Sequence, residues 1–402
     1  MDDASMHYDV YCGIDVGKTM HYLVALGKDG SKRLLSRPLP QDEAEVRLAL
    51  QGLLGFGSVL VAVDQTGSFG RPVVAMAKSL GIDVFHLPPK AYHDAARLYG
   101  EGTSDAKAAY VIADIARAHP GLIVKAAYRS DAAEELRCLL SWRDDLILES
   151  TSLYNRTHDL LHQVCPPLEA LFAKEALHTL LALNILKRYG GPEGLRKAGR
   201  SRVLGWAGRL KGQKVRGPAK VSEAFAALEQ ASLPMPGAAL VEEYIRQMAG
   251  RILSVRAEVA GLEKRIGSYA LVLPEINILM GVPGIGKTYG PVIAAEIGDI
   301  SRFKSADELA YYGGVTPKKT TSGTSVNKKS KAKAGNRRLK DAFVGSAQKA
   351  VMHDAKSRAY YEKKRAEGKS YNSAILALAR RRVDLIFALL KTGSLYEPSH
   401  TA

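Results

Sequence analysis

The sequence opens with a short apolar run that ends in one acidic residue. Residues 10–18 read Val-Tyr-Cys-Gly-Ile-Asp-Val-Gly-Lys, and the β-branched and aromatic residues before Asp15 favour a strand. Gly13 and Gly17 let the backbone bend and let a phosphate or a metal come close. The pattern predicts a buried first strand with the Asp15 carboxylate at its end, where a phosphate-handling site can begin.

Two further carboxylates follow where strands and helices alternate. We predict strands over 8–15, 21–26, 32–36, 58–64 and 82–87, and helices over 42–53, 71–80, 90–97 and 106–118. This order predicts an α/β sandwich of the ribonuclease-H type. Asp64 ends the fourth strand and Asp105 precedes the last helix, so both converge with Asp15 and can hold two Mg²⁺ ions on a scissile phosphate. Each acid also suits a turn or cap, and Ser104 or Asp105 can cap the helix.

Helices dominate the rest of the chain. Charged segments with recurring leucines predict long helices over 131–164 and 241–271, which we expect to form hairpin arms rather than a compact core. The expected domains are 1–128, then arms over 129–272 with an inserted basic helical lobe at 166–237, a mainly helical unit over 273–395, and a tail at 396–402.

The charge pattern indicates a nucleic-acid partner. The net charge is +16, and the tracts 194–220 and 317–340 each contain nine Lys or Arg and no acid. Such acid-free basic tracts are typical of surfaces that bind phosphates. The candidate contacts are Arg200, Arg202, Arg209, Lys211, Lys214, Arg216, Lys318, Lys319, Lys328, Lys329, Lys331, Lys333, Arg337 and Arg338.

Several protein classes are disfavoured. The apolar runs are far shorter than the ~20 residues of a membrane helix, and the acidic start does not resemble a secretory signal. The three cysteines, Cys12, Cys138 and Cys165, lack the spacing of a disulfide framework or a zinc site. We therefore expect a cytoplasmic protein without a membrane partner.

Two motifs in the C-terminal half have ambiguous chemistry. Residues 281–288, Gly-Val-Pro-Gly-Ile-Gly-Lys-Thr, match a phosphate loop, but such a loop needs a preceding strand. A helix-hairpin-helix-like turn, whose backbone N–H groups meet a DNA phosphate, fits better. Ser322 lies in a lysine-rich stretch that we expect to be a linker, and no activating base is visible beside it in the sequence.

Together, these pieces resemble the insertion-sequence one-ten family of transposases, the bridge-RNA-guided D-E-D-D/serine recombinases. The matching stretches are Gly13–Lys18, Val63–Gly67, Thr103–Lys107 with Tyr110–Arg117, Gly281–Gly286, Leu309–Pro317, Thr321–Gly323 and Lys333–Arg337. Their order covers nearly the whole chain apart from the lobe at 166–237. The resemblance implies a RuvC-like N-terminal domain, a coiled-coil arm and a C-terminal transposase domain.

The resemblance also implies the roles of individual residues. Asp15 and Asp105 match the first and third acids of a site for Mg²⁺ or Mn²⁺, and Asp64 stands where the family usually has Glu. Ser322 matches the serine nucleophile, which would form a covalent phosphoserine link to DNA.

The fourth acid of the family motif is missing. Ala108 occupies its position, so we expect a weakened metal site and impaired activity. Asp114 is a poor substitute, because nine residues at ~100° each place it on the opposite face of the helix from Asp105.

The implied partners are a guide (bridge) RNA and double-stranded donor and target DNA, with the RNA reading sequence by base pairing. Strand exchange implies a homodimer to homotetramer, and the resemblance implies a prokaryotic, nucleoid-associated protein.

Three other functions remain open. A metal-dependent junction nuclease would use the carboxylates alone, with Ser322 as a bystander. A nucleic-acid-binding protein without chemistry is compatible with Ala108. The run Gly13–Thr19 also resembles the phosphate loop of actin-like kinases. A measurement of ATP binding would distinguish such a kinase from the other functions.

Overall fold

The computed structural model describes residues 7–126, 130–173, 176–210, 216–231, 235–316, 318–322, 326–330 and 335–397, with the backbone alone for Ser68, Arg216, 318–322 and 326–330. Lys211, Lys214, Lys331 and Lys333, all predicted to contact nucleic acid, lie outside these residues. The chain divides into two compact units. The first contains Met1–Tyr128, Asp299–Glu308 and Pro317–Gly335, and the second contains Arg129–Gly298, Leu309–Thr316 and Asn336–Ala402.

A six-stranded mixed sheet forms the centre of the first unit. Its strands are β1 (Val10–Asp15), β2 (Met20–Gly27), β3 (Arg33–Pro40), β4 (Val59–Val63), β5 (Asp83–His86) and β6 (Val124–Lys125), in the order β3-β2-β1-β4-β5-β6. The three N-terminal strands form an antiparallel meander, whereas β4 runs parallel to both β1 and β5. The α/β class predicted for this region is confirmed.

Helices cover both faces of the sheet, which explains why β4 is buried throughout and β1 is buried up to Asp15. The helices are α1 (Glu43–Leu54), α2 (Arg71–Ser79), α3 (Pro89–Ala96) and α4 (Asp105–Ala118). Cys12 and Ile14 pack with α1 and α2 on one face, while Tyr11 and Leu60 pack with α3 and α4 on the other. Alternate residues of one strand therefore supply two separate cores.

The lysine-rich segment forms a hairpin, so the prediction of a linker there was wrong. Strands β7 (Lys318–Ser322) and β8 (Val326–Ser330) pair antiparallel, with Ser322 opposite Val326. The β-branched Thr320, Thr321 and Val326 favour strands, a preference that the flanking lysines concealed. The hairpin falls within the range of the first unit.

The second unit is helical. Its helices are α5 (Asp131–Val164), α6 (Pro166–Phe172), α7 (Leu180–Tyr189), α8 (Pro192–Ala198), α9 (Arg200–Ala207), α10 (Arg216–Glu229), α11 (Ala238–Ser268), α12 (Pro274–Met280), α13 (Gly286–Ile297), α15 (Arg337–His353), α16 (Ala355–Ala366) and α17 (Tyr371–Thr392). Helix α14 (Ala306–Tyr312) crosses the boundary between the two ranges. None of the described helices is long and apolar enough to cross a membrane.

The two long helices, α5 and α11, pack along each other. Arg251 on α11 donates to both carboxylate oxygens of Glu149 on α5, at 2.7 and 3.0 Å. The inserted lobe shares the core of this pair, and the buried Glu242 of α11 accepts hydrogen bonds from the N–H groups of Glu193 and Gly194 at the start of α8. Burial raises the pKa of Glu242.

The glycine motif at 281–288 joins two helices, α12 and α13. A phosphate loop follows a strand, whereas this motif follows helix α12. The structure therefore favours a helix-hairpin-helix-like turn over a phosphate loop. Gly284 has φ +82°, and a Cβ there would lie 2.5 Å from Ser346 O on α15. The Arg382 guanidinium donates to Pro283 O at 2.6 Å. Both contacts seat the turn against neighbouring helices.

Candidate active site

Asp15 and Asp64 lie at the carboxyl ends of two adjacent parallel strands. Asp15 is the last residue of β1, and Asp64 directly follows β4, whose Val63 pairs with Ile14. Parallel strands bring their carboxyl ends to the same sheet edge. The N–H of Val16 donates to Asp64 Oδ1 at 3.1 Å, which orients the Asp64 carboxylate.

Helix α4 brings Asp105 to the same site. The helix crosses β1 at Gly13, where a Cβ would overlap the backbone of Ala109 and Ala113, so glycine permits the close approach. Ser104 is the N-cap, since its hydroxyl accepts from Lys107 N at 3.2 Å. Asp105 is therefore not the cap residue, and its exposed carboxylate belongs to the first turn of the helix.

Mutual repulsion is visible in the electrostatics of these acids. Burial raises the pKa of Asp15 to about 6, and the nearby charges of Asp64 and Asp105 add to the increase. Burial also raises the pKa of Asp64, although the hydrogen bond from Val16 opposes this. Raised carboxyl pKa values at one sheet edge are typical of functional sites, and a bound cation would relieve the repulsion.

Two histidines beside Asp64 were given no role by the sequence reasoning. His86, at the end of β5, donates from Nε2 to Asp64 O at 3.0 Å. His21 on β2 is 1% exposed and accepts from Gly17 N at Nδ1, 3.2 Å away, which leaves its proton on Nε2. That buried Nε2 has no partner among the described residues. Burial lowers the pKa of both imidazoles, so both favour the neutral form.

Ala108, which stands where the resemblance implies a fourth acid, lies one turn after Asp105 on α4. Asp114, the other acidic residue of this helix, is hydrogen-bonded to residues outside the candidate site. It accepts from Tyr99 Oη at 2.8 Å and from Arg117 Nε at 2.9 Å. These contacts agree with the expectation that Asp114 does not replace the missing ligand.

The chemistry of this donor set suits a hard divalent cation, because carboxylate oxygens are the ligands that Mg²⁺ and Mn²⁺ prefer. The raised pKa of Asp15, caused by burial and then by the charges of Asp64 and Asp105, fits the same group. Within the described residues, however, no three His, Cys, Asp or Glu side chains are gathered closely enough to hold an ion. That Ala108 removes a ligand from the set implied by the resemblance stays a prediction.

The remaining predicted residues differ in how far they are described. Ser322 ends β7, with only its backbone described. Arg200, Arg202 and Arg209 are exposed on and beside α9. Their contacts with nucleic acid, like those of the hairpin lysines, stay predictions.

The neighbouring arginines Arg337 and Arg338 have different surroundings. The Arg337 side chain is 94% exposed. Arg338 forms ion pairs with Asp144 at 3.0 Å and with Glu296 at 3.5 Å. A nucleic-acid contact of Arg338 would therefore compete with these two carboxylates, whereas Arg337 is accessible.

Comparisons with known proteins identify transposases as relatives of this chain. A family model described as "Transposase" (DEDD_Tnp_IS110) matches residues 12–166, and a model described as "Transposase IS116/IS110/IS902 family" matches residues 276–362. The insertion element IS110 43.6 kDa protein of Streptomyces coelicolor is 35% identical over 390 residues, covering 96% of this chain and 95% of the relative.

Two further relatives are similar over almost their full length. The insertion element IS116 44.8 kDa protein of Streptomyces clavuligerus is 32% identical, covering 98% of each chain. The insertion element IS900 42 kDa protein of Mycobacterium paratuberculosis is 33% identical, covering 98% of this chain and 99% of its own. The chain therefore belongs to the IS110 family of insertion-sequence transposases.

Proposed function

We propose that this transposase recombines DNA under the guidance of an RNA, with a carboxylate site at Asp15, Asp64 and Asp105 and with Ser322 as nucleophile. The observation that supports it most is that the charges of Asp64 and Asp105 add to the effect of burial in raising the pKa of Asp15. The carboxylates would hold Mg²⁺ or Mn²⁺, which when bound stabilises negative charge on a phosphate.

The proposed covalent step exchanges one phosphodiester bond for another. Ser322 Oγ forms a bond to a DNA phosphorus, the bond from that phosphorus to one deoxyribose oxygen breaks, and the released oxygen takes up a proton as the serine loses one. The energy of the phosphodiester is kept in the phosphoserine, so rejoining to a new strand needs no cofactor such as ATP. The placement of the hairpin within the range of the first unit supports this pairing of serine and carboxylates.

Ala108 is proposed to weaken this chemistry. An alanine methyl cannot coordinate a cation. The imidazoles of His21 and His86 each have a hydrogen bond at one ring nitrogen. Both carboxylate oxygens of Asp114 accept hydrogen bonds from other residues. We therefore propose that this chain binds its nucleic acids but turns over slowly. The same substitution favours, as a second candidate, a protein that binds nucleic acid without cleaving it.

Sequence recognition is proposed to reside in a guide (bridge) RNA that pairs with donor and target DNA. The protein would contact phosphates through Arg200, Arg202, Arg209 and Arg337, which are exposed, and through the hairpin lysines. Such contacts make affinity fall steeply with salt. Helices α5 and α11 are proposed as coiled-coil arms that join two to four copies, and association with nucleoid DNA is part of the same proposal.

A serine-to-alanine substitution tests the proposed nucleophile. Full-length protein, guide RNA and radiolabelled donor DNA are incubated with Mg²⁺, and the covalent adduct is quantified after denaturation. We expect Ser322→Ala to abolish the adduct while Ser325→Ala, a matched change in the same segment, retains it. Ala108→Asp should raise the signal in the parent and in Ser325→Ala, and should not restore it in Ser322→Ala.

Two outcomes contradict the proposal. If Ser322→Ala still cuts DNA at the parent rate and no variant forms an adduct, the protein is a metal-dependent nuclease. If all variants bind DNA and none cuts it, even with Ala108→Asp, the non-catalytic function is correct.

A further inference from the structure

The inserted lobe carries a half-buried tryptophan at its surface. Trp206, in the last turn of α9, packs against the core that the lobe shares with α5 and α11. Its ring meets that of Tyr189, the last residue of α7, edge to face, with the centroids 5.4 Å apart and the planes at 87°. Because Tyr189 is buried, this contact and the core together hold the indole in one orientation.

A cation lies beside the same two rings. The guanidinium carbon of Arg188 is 5.4 Å from the centroid of the Trp206 ring and 5.7 Å from that of Tyr189. Both distances are within the ~6 Å of a cation–π contact, and Arg188 is exposed. Aromatic rings and the planar guanidinium of arginine are the groups on which unpaired bases of nucleic acids stack. The surface of the lobe therefore presents both kinds of group side by side.

Two further arginines flank the indole. Arg202 precedes Trp206 by four residues on α9, so the two side chains lie on one face of the helix. Arg209 follows the end of the helix, and its N–H donates to Trp206 O at 3.1 Å. Both arginines are exposed, and the tract 194–220 around them contains no acid. The positive charge beside the ring is thus available to phosphates.

We propose that Trp206 and Arg188 form a stacking platform for one unpaired base of an RNA. Arg202 and Arg209 contact the phosphates beside that base. The proposal deepens the proposed function and rests on its RNA partner, because bases in duplex DNA are stacked on one another whereas RNA loops leave bases unstacked. The platform lies between the ranges 12–166 and 276–362 that the two transposase models match.

The only other tryptophan of the chain provides the controls. Trp142, on α5, is 49% exposed, and Trp142→Phe leaves Trp206 as the single indole fluorophore. Trp206→Leu removes the aromatic plane but keeps an apolar side chain against the core, and Trp142→Leu is its matched control. Trp206→Phe keeps a smaller ring. Arg200→Ala removes a cation six residues before Trp206, which at ~100° per residue lies on another face of α9.

The first measurement is a fluorescence titration of the full-length Trp142→Phe protein with a short oligouridylate, whose bases remain unpaired. We expect saturable quenching of Trp206 by the oligouridylate and none by duplex DNA. Arg200→Ala in the same background should weaken binding and keep the full quenching at saturation. An oligouridylate that does not bind, or that binds without quenching, overturns the platform, and so does equal quenching by duplex DNA.

The second measurement is the affinity of a labelled oligouridylate for the tryptophan variants. Trp206→Leu should lower the affinity about tenfold to a hundredfold, which is the usual effect of losing one base–aromatic stack. Trp206→Phe should lose less, and Trp142→Leu should bind as the parent does. Parent-like affinity in Trp206→Leu, or an equal loss in Trp142→Leu, contradicts the proposal.

Cross-linking identifies the source of the base. The full-length protein is irradiated with ultraviolet light in cells that carry its insertion element, and the digested α9 peptide is analysed by mass spectrometry. We expect a ribonucleotide on this peptide. A deoxyribonucleotide there, or ribonucleotides on other peptides only, overturns the assignment to RNA, and a chain without any ribonucleotide refutes RNA guidance as well. If Ser322→Ala retains the covalent adduct, the proposed nucleophile fails and the platform is unaffected.

Discussion

Replacing Asp15 by asparagine should stabilise the first unit at neutral pH. The pKa of this half-buried carboxyl is raised to about 6 by burial and by the charges of Asp64 and Asp105. A carboxyl with a raised folded-state pKa favours the fold at low pH, and this contribution is lost as the pH rises through the folded pKa. Asparagine keeps the shape of the side chain without its charge, so the penalty at neutral pH disappears.

The expected size follows from the pKa difference. An increase from 3.8 to about 6 corresponds to about 3 kcal/mol at ~1.4 kcal/mol per pH unit. Because Asp15 is partly solvated, screening reduces this to about 1–2 kcal/mol. The gain should be full at pH 7.5 and should vanish below about pH 3, under the ordinary pKa of 3.8. Added Mg²⁺ should stabilise the parent more than the variant.

Hydrogen exchange of the β1 and β4 amides is the suitable assay, since Trp142 and Trp206 both lie in the second unit and do not report on the first. Parent and variant are compared at each pH. Asp29→Asn is the matched control. The Asp29 carboxylate accepts hydrogen bonds from Ser31, so its loss should not stabilise the unit. A destabilising Asp15→Asn, or an effect that does not change with pH, would refute the electrostatic reasoning.

Three further outcomes are expected. Ala108→Asp should raise Mg²⁺ affinity and recombination at least tenfold, as measured by calorimetry and a plasmid assay, and no gain would show that the missing acid is not the defect. Gly13→Ala should cost about 2–3 kcal/mol in denaturant unfolding, because a Cβ there overlaps the α4 backbone, and a neutral result would contradict the close crossing. Arg200→Ala and Arg202→Ala should each reduce the slope of log affinity against log salt by about 1, and an unchanged slope would remove these residues from the interface.

The sequence predicted most of the first unit, because its strands are bounded by clear turn residues. Strand β6, only Val124 and Lys125, is too short to leave a periodic pattern. The hairpin was missed because the four lysines between 318 and 330 and the Ser322-Gly323 pair are typical of a linker, although four residues of the same stretch are β-branched. The cap of α4 was ambiguous in sequence, since Ser and Asp have equal preference at that position, and the hydrogen bond of Ser104 resolved it.

The parts of the site that escaped prediction depend on contacts distant in sequence. His21 and His86 lie in apolar strands, where a lone histidine is more often a core residue, and only the pairing of β4 with β5 brings His86 to Asp64. Arg338 lies in a basic tract and was therefore predicted to contact phosphate. Its ion-pair partners Asp144 and Glu296 are distant in sequence, so the tract alone did not reveal them. The acids of the candidate site were predicted from local patterns alone, because each lies at the end of a strand or the start of a helix.

The most direct test of the proposed chemistry is to identify the residue that becomes attached to DNA. Full-length protein carrying Ala108→Asp is incubated with guide RNA, donor DNA and Mg²⁺, then digested with protease and nuclease, and the peptides are sequenced by mass spectrometry. The account predicts a nucleotide on Ser322, absent when Asp15→Asn is introduced. A nucleotide on another residue, or cleaved DNA with no modified peptide, would contradict it.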